Sequence, residues 1–364
     1  MSKKLFDYVI GNPPYNADFS SYGDNDTYAT PVYNLFLDEA YKVGDKVEMI
    51  HPARFLFNAG STPKAWNEKM LNDEHLKILK FEQDSSKVFT NTDIKGGIAV
   101  SYRNESASFG KILTYTSFPE LNSILHKVID RNDFESLMNN IYIQNRFDLE
   151  KLQLDYPELF IPKMDANGKE FYVIGSKGKD KRLEKNIFSK ASQVFTDSKN
   201  DETDIKILGI LNGKRTWKYI PEKYIDKEHE NINLYKVLLP TSNGSGAIGE
   251  VLSTPLIGEP LIGEPLIGFT RSFISIGAYK TQEEAESCLK YVKSKFMRTC
   301  LGILKVTQDN NKDTWKYVPL QDFTSQSDID WSKSISEIDQ QLYKKYGLNE
   351  AEINFIETHV KEMN

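Results

Sequence analysis

Residues 11–15 read Gly-Asn-Pro-Pro-Tyr and follow a short apolar run at residues 6–10. Consecutive prolines fix their own φ angles and lack backbone N–H donors, and Pro13 pushes Asn12 towards an extended conformation. The side-chain oxygen of Asn12 and the carbonyl oxygen of Pro13 are therefore acceptors on a rigid turn. An exocyclic amine carries a matching pair of donors, and the ring of Tyr15 offers a surface on which a base can stack. This spacing predicts a pocket for an amino-bearing base that is flipped out of a duplex.

The bland alternative is a strand that ends in a Pro-Pro turn and binds nothing. The aromatic residue at the end of the tetrapeptide and the Asp-Tyr-Val-Ile strand before it favour the functional interpretation. We therefore take Asn12, Pro13, Pro14 and Tyr15 as the candidate catalytic set.

Residues 6–15 resemble the catalytic motif of adenine-N6 DNA methyltransferases, in the gamma-type group associated with type II restriction–modification systems. In that group methylase and nuclease are often fused. Further similarity to catalytic-domain motifs lies at residues 33–37, 47–56, 88–89 and 93–100, and residues 270–322 resemble part of the target-recognition region. The resemblance implies methylation of adenine N6 in double-stranded DNA by S-adenosylmethionine. It also makes Phe89 a candidate to stack on the opposite face of the base.

In methyltransferases of this class a glycine-rich strand-to-helix loop for the cofactor precedes the catalytic turn. Only ten residues precede Gly11. Residues 243–249 are glycine-rich, but they lead into a Pro/Gly repeat rather than a helix, so we interpret them as a recognition loop. We expect a separate or excised N-terminal part to hold S-adenosylmethionine and to carry any nuclease. The chain alone is then expected to be inactive.

Two other readings stay open at this point. The chain could be a non-catalytic DNA-binding specificity subunit, or a decayed fragment, that cannot bind cofactor. A protein or RNA methyltransferase would share the tetrapeptide, although the long C-terminal region resembles a DNA-recognition region.

Composition is that of a folded globular protein, with 39% hydrophobic and 27% charged residues. No apolar run approaches the roughly 20 residues that span a bilayer, and no secretory signal is present. Cys288 and Cys300 have neither zinc nor disulfide spacing. We therefore expect a cytoplasmic protein without a metal site and without membrane contact.

The net charge of −6 argues at first against a nucleic-acid partner. Phosphate contacts need only one basic face, however, so local clusters decide the matter. The alternative for each cluster is an ordinary solvated loop. The candidate DNA-binding residues are Lys177, Lys179, Lys181 and Arg182, then Lys214, Arg215 and Lys218, and finally Lys316.

Residues 5–102 alternate apolar strands with helical stretches, which predicts an α/β layer with a mostly parallel sheet. We expect this partial methyltransferase sheet to be followed by an α+β target-recognition domain and C-terminal helices. The predicted boundaries are a catalytic half at 1–105, a helical connector at 106–140, a recognition domain at 141–330 and a helical tail at 331–364.

Repeats and helical spacing add three local predictions. Leu-Gly-Ile-Leu followed by Thr-Trp-Lys-Tyr occurs at 208–219 and at 301–317, which predicts two similar hairpins. Residues 255–268 repeat Pro-Leu-Ile-Gly-Glu with period five, and we expect a tolerant surface loop there, whose length could alternatively tune DNA recognition. Residues 281–300 are predicted to form one helix with an apolar core face.

Overall fold

A computed structural model describes residues 4–17, 30–57, 61–89, 94, 96–228, 231–243, 260–305 and 308–363. The chain divides into two compact units, Met1–Asn122 and Ser123–Asn364. Most of the glycine-rich stretch at 243–249 and the first copy of the Pro-Leu-Ile-Gly-Glu repeat lie outside the described residues.

The first unit is built from strands and helices that alternate along the chain, as its hydrophobic pattern predicts. Its elements are β1 (Phe6–Gly11), β2 (Asn16–Ala17), β3 (Thr30–Pro31), α1 (Tyr33–Val43), β4 (Gly44–Pro52), α2 (Lys64–Leu71), β5 (Leu76–Glu82) and β6 (Ile98–Asn104).

The main sheet of this unit has the strand order β1-β4-β6-β5. Strands β1 and β4 are parallel, whereas β6 runs antiparallel to both β4 and β5. The prediction of a mostly parallel sheet is therefore wrong for the described strands. A parallel pair needs a long crossover, usually a helix, and the described residues between β5 and β6 form only a 3₁₀ turn at Ser85–Lys87.

Helix α1 packs on one face of this sheet because its apolar residues recur at helical spacing. Leu37 of α1, Val47 and Met49 of β4, and Met70 of α2 belong to one buried cluster. The opposite face of β1 is different: its apolar side chains Phe6, Tyr8 and Ile10 are 55%, 44% and 75% exposed. β1 is also the edge strand of the described sheet.

The second unit also mixes helices and strands, so the prediction of a chain with mixed α and β structure is confirmed, whereas the predicted order of its domains stays a prediction. Its elements, the first of which begins before Ser123, are α3 (Pro119–Ile129), β7 (Ile141–Tyr142), α4 (Leu149–Asp155), β8 (Lys163–Met164), β9 (Glu170–Phe171), α5 (Gly175–Gly178), α6 (Ile187–Lys190), β10 (Ile205–Leu211), β11 (Lys214–Ile220), β12 (Tyr235–Pro240), β13 (Leu261–Gly263), β14 (Ile267–Phe269), β15 (Phe273–Tyr279), α7 (Gln282–Lys293), α8 (Lys295–Gly302), α9 (Ile335–Lys345) and α10 (Glu350–His359).

Two larger sheets organise this unit, with the orders β11-β10-β14 and β13-β12-β15-β7. The described copies of the Pro-Leu-Ile-Gly-Glu repeat contribute β13 to one sheet and β14 to the other. Ile267 and Gly268 are buried there. The expectation of a tolerant surface loop is therefore wrong for residues 260–268, because the apolar triplets Leu261–Gly263 and Ile267–Phe269 are long enough to pair as short strands.

The paired Leu-Gly-Ile-Leu segments fold differently from one another. The first is β10, which forms a hairpin with β11. The second ends α8, and its Trp315 is fully buried in the 3₁₀ turn Lys312–Trp315. The prediction of a second hairpin is wrong, because α8 extends into the apolar string and ends at Gly302.

The helix predicted at 281–300 is broken at Ser294. This residue has extended angles, φ −63° and ψ 147°, and its hydroxyl accepts a hydrogen bond from the N–H of Met297 at the start of α8. The predicted core positions Ala285, Cys288 and Phe296 are buried. No helix among the described residues has the length and apolar character needed to cross a membrane.

Candidate functional site

The candidate residues Asn12, Tyr15 and Phe89 follow the first unit's strands at one end of its sheet, and "this edge" below means that end. β1 and β4 are parallel, so their C-terminal ends meet there. β6 is antiparallel and begins at the same edge, where Ile98 pairs with both Pro52 and Glu82. The Asn-Pro-Pro-Tyr turn and the segment that ends at Phe89 therefore leave the sheet on the same side. Loops at the carboxyl ends of such strands are the usual place for ligands in α/β folds.

Asn12 lies directly after β1 and its side chain is exposed, whereas Pro13 is buried. No N–H group in the described part of the chain is hydrogen-bonded to the Asn12 carboxamide or to the Pro13 carbonyl oxygen. Gly11 holds the strand end close to β4: a Cβ atom there would lie 2.8 Å from Sδ of Met49. The turn therefore presents two acceptors from a backbone whose position is set by the contact of Gly11 with β4 and by the restricted φ angles of the two prolines.

Tyr15 faces Phe89 at this edge, and their ring centroids are 6.5 Å apart with 63° between the ring planes. The carbonyl oxygen of Tyr15 accepts a hydrogen bond from the N–H of Val32 at 3.0 Å. Its ring packs against the core, and burial raises the pKa of the phenol. The structure thus brings together the two aromatic residues that the sequence analysis selected for stacking.

The segment that carries Phe89 is held by local hydrogen bonds. The N–H of Phe89 donates to the carbonyl oxygen of Ser85 at 2.9 Å, and the Ser85 hydroxyl accepts from the N–H of Ile94 at 2.8 Å. Gly97 has φ +78°, and a Cβ atom there would lie 2.6 Å from the carbonyl oxygen of Glu82. Only glycine therefore allows the close turn into β6.

His51 links β4 to β6 near the same end of the sheet, and the sequence analysis did not predict this role. The residue is fully buried near the end of β4, and its Nε2 lies 2.8 Å from the hydroxyl of Ser101 in β6. Burial lowers the pKa of the imidazole to about 4, so the ring is neutral at pH 7. A lone histidine in a strand gives no signal that separates such a structural role from a catalytic one.

The first basic cluster lies on the surface of the second unit. Lys177, Lys179 and Lys181 are exposed. Arg182 is also exposed, but it is already paired with Asp180 and Glu184. The assignment of these four residues to DNA binding stays a prediction, with the three lysines better placed than Arg182 to meet phosphates.

The second basic cluster lies on β11, where alternate residues face opposite sides. Lys214 is exposed, and Lys218 forms an ion pair with Asp197. The guanidinium of Arg215 lies 5.6 Å from the centroid of the Phe273 ring. Lys316 is exposed beside the buried Trp315. Their DNA-binding roles also stay predictions.

The described residues do not fit S-adenosylmethionine. β1 leads into the Pro-Pro turn and β4 into the 3₁₀ turn Arg54–Phe57, so neither strand opens into a glycine-rich helix start. Gly96 and Gly97 do not supply a cradle, because side-chain or backbone atoms already fill the space beside each. In the part of the chain that the structure describes, no group of three or more His, Cys, Asp or Glu residues is arranged to hold a metal ion.

Comparisons with known proteins find similarity in the part of the chain that carries this turn. Residues 1–89 match the family model of the Eco57I restriction-modification methylase. A protein of Mycoplasma pneumoniae described as an uncharacterized adenine-specific methylase is 30% identical over 139 residues, which cover 37% of this chain and 32% of that protein. The match thus spans about a third of the length of that relative.

Solved structures give weaker matches over more of the chain. The type IIG restriction endonuclease BpuSI matches with 11% identity and a TM-score of 0.28, over 88% of this chain and 44% of that protein. The type IIL restriction-modification enzyme MmeI, in complex with DNA, matches with 9% identity and a TM-score of 0.35, over 97% and 56%. Residues 1–89, which contain the Asn-Pro-Pro-Tyr turn, are thus the part of the chain that is similar to the Eco57I restriction-modification methylase family.

Proposed function

We propose that this chain supplies the base-holding half of a site-specific adenine-N6 DNA methyltransferase. The observation that carries the proposal is the Asn-Pro-Pro-Tyr turn with free acceptors on one side and the Tyr15–Phe89 ring pair on the other. The Asn12 side-chain oxygen and the Pro13 carbonyl oxygen each accept one N–H of the adenine amine. The amine lone pair is then directed out of the ring plane. Tyr15, and Phe89 on the opposite side, hold the flipped base.

The methyl donor belongs to a part that lies outside the described residues. S-adenosylmethionine would supply the methyl group when it is bound, and the described residues do not form its site. We propose that an α/β cofactor-binding part continues the sheet at β1. Support comes from two features of β1. It is an edge strand of the described sheet, so a further strand could pair with it, and its side chains Phe6, Tyr8 and Ile10 form an exposed apolar face that a helix layer could cover.

Partner and location follow from the same proposal. The partner is double-stranded DNA, which the exposed lysines of the second unit would contact through phosphates. Cys288 and Cys300 are buried free thiols, which suits the reducing cytoplasm that the sequence predicts.

The test has two stages. Calorimetry of the chain alone with S-adenosylmethionine is expected to show no binding. The chain is then mixed with a cofactor-binding part that is supplied as a separate polypeptide, and N6-methyladenine is measured by mass spectrometry in hydrolysed, previously unmethylated DNA. Methylation is expected only in the mixture and only on adenine.

Two variants sharpen the second stage. Asn12→Ala is expected to lower the rate at least about 100-fold, the usual size of losing one preorganised polar contact in an active site. Asn167→Ala removes an exposed asparagine of the second unit and is the matched control. If Asn12→Ala methylates as fast as the control, the turn does not hold the reacting amine. Tight cofactor binding by the chain alone would instead contradict the assignment of the donor to another part.

A further inference from the structure

A cleft of about 440 Å³ opens in the second unit beside residues 141–146, apart from the Asn-Pro-Pro-Tyr turn. Its walls combine amide, guanidinium, ammonium and carboxylate groups, so they offer both donors and acceptors. The polar residues that line the cleft are Asn139, Gln144, Arg146, Asp226, Glu228 and Lys312.

One wall of the cleft is an extended segment that main-chain hydrogen bonds hold at several points. At its start Tyr142 pairs with Ser275 of β15. The N–H of Asn145 donates to the carbonyl oxygen of Phe269 at 3.1 Å. Further along, the carbonyl oxygen of Arg146 accepts from the N–H of Asp226 at 2.9 Å. The wall is therefore rigid, and its side chains are positioned by the fold.

Gln144 and Arg146 are two positions apart on this wall, so an extended backbone directs them to the same side. Gln144 is only 5% exposed, yet its side chain has no hydrogen-bond partner among the residues that the structure describes. Arg146 is exposed and forms no ion pair with any described residue. Its backbone neighbour across a β-bridge, Arg182, is by contrast paired with Asp180. Both side chains therefore present polar groups to the cleft that no described residue engages, which leaves them available to a ligand.

The mixture of charges defines the class of that ligand. A phosphate would be repelled by the carboxylates of Asp226 and Glu228, whereas a base edge presents donors and acceptors side by side. Gln pairs with adenine, Arg with guanine and a carboxylate with the cytosine amine in the major groove of DNA. Phosphate contacts have a place nearby, because the N–H of Phe147 bonds to the carbonyl oxygen of Lys181 at 2.6 Å and the Lys181 side chain is exposed.

We propose that this cleft reads base edges of the DNA target, with Gln144 and Arg146 as specificity-determining residues. Lys181, which lies beside the cleft and is exposed, contacts a phosphate. The inference rests on the proposed function, since it takes double-stranded DNA as the partner of this chain.

The experiment is binding selection from a pool of random duplex DNA, read by sequencing, with the full chain. The wild type is expected to enrich a motif. Arg146→Ala is expected to lose the preference for guanine at one position by about 10- to 100-fold. Gln144→Glu, which keeps the side-chain shape, is expected to change an adenine preference to cytosine at one position. Lys181→Ala is expected to keep the motif and to lower the salt dependence of binding by about one phosphate contact.

Lys344→Ala is the matched control, because it removes an exposed cation of α9, a helix that contributes no residue to the cleft lining. Thermal unfolding of each variant checks that the fold is intact. A wild-type motif that both Gln144→Glu and Arg146→Ala leave unchanged would overturn the inference while the proposed function stands. A wild type that enriches no duplex motif, or that enriches RNA from a parallel pool instead, would overturn the inference and also the assignment of DNA as the partner.

Discussion

The ring of Tyr33 lies parallel to the imidazole of His51, with 5.7 Å between the ring centroids and 5° between the planes. Tyr33 begins α1 and His51 lies near the end of β4, so this contact joins the helix to the strand behind the candidate site. Trp66 of α2 meets Tyr33 edge to face at 6.0 Å. The aromatic group therefore ties both helices to the end of the sheet where Asn12 lies.

Acid should destabilise the first unit through His51. Its folded pKa of about 4 is below the ordinary 6.5, because burial disfavours the charged ring. The unfolded chain therefore binds the proton first, and stability is lost as pH falls from about 6.5 to about 4. The full loss is about 3 kcal/mol. Hydrogen exchange of β4 peptides at pH 7 and pH 4.5 measures it.

The His51→Gln variant supplies the comparison for this pH effect. It removes the titrating ring and so should flatten the dependence over that range, although it lowers stability at pH 7. An equally steep loss in the variant would assign the effect to other groups.

Base stacking should depend on Tyr15 more than on other aromatic residues of the unit. Tyr15→Ala is expected to weaken binding of a short single strand that contains 2-aminopurine by about 1–3 kcal/mol, because one stacking surface is removed. Tyr15→Phe should bind almost normally, since the ring and not the hydroxyl makes the contact. Fluorescence titration measures both.

Phe109→Ala is the control for stacking, because Phe109 is 37% exposed and packs beside Tyr102 instead of Tyr15. Equal losses in Tyr15→Ala and Phe109→Ala would mean that binding is not localised at the turn.

The exposed edge of β1 should make the chain self-associate when it is alone. Long apolar edge strands pair with other chains. Ile10→Lys is expected to reduce self-association in analytical ultracentrifugation and to prevent the cofactor-binding part from joining. Leu79→Lys, on the opposite edge strand β5, removes a side chain that is 48% exposed and should change neither result. If Leu79→Lys has the larger effect, association occurs at the other edge.

The contact between α3 and α10 should be sensitive to Lys127. The carboxylate of Glu352 is nearly inaccessible and accepts from Lys127 Nζ at 2.7 Å and from the Ser123 hydroxyl at 2.7 Å. Burial alone would raise the pKa of Glu352, but these hydrogen bonds outweigh it and leave the pKa below its usual value. Lys127→Met leaves a buried charge unpaired and is expected to cost about 3 kcal/mol in urea unfolding.

A second substitution separates this charge effect from lost packing. Lys127→Met combined with Glu352→Gln should recover much of the loss, because no buried charge is then left alone. Absence of any recovery would show that the lysine stem, not the ion pair, holds the helices together.

Local hydrophobic pattern predicted the strands and helices of the first unit well, because each apolar run is short and bounded by turn residues. It did not predict strand direction: β6 is inserted antiparallel between β4 and β5, and no local feature of its sequence records which neighbours it pairs with. Tertiary pairing decided that point.

The candidate site residues also divide into those that local sequence indicates and those that only tertiary contacts bring together. Asn12 and Tyr15 were selected as candidates because their order along the chain is distinctive, and Phe89 followed from the resemblance. Gln144 and Arg146 were missed because nothing in the local sequence sets them apart. They line a cleft only because the segment that carries them pairs with β15 and bonds to Lys181 and Asp226, which are distant in sequence. Ser294 likewise gave no local warning that it ends one helix and caps the next.

The extended segment at 141–148 has a consequence for how this protein can change over generations. The carbonyl oxygen of Arg146 attaches it to the fold through the main chain, whereas at Asn145 the side-chain oxygen also accepts a hydrogen bond from the N–H of Phe269 at 2.8 Å. A single codon change at position 144 or 146 can therefore alter what is read while folding is preserved. New target preferences are then within one mutational step, without compensating change elsewhere in the chain.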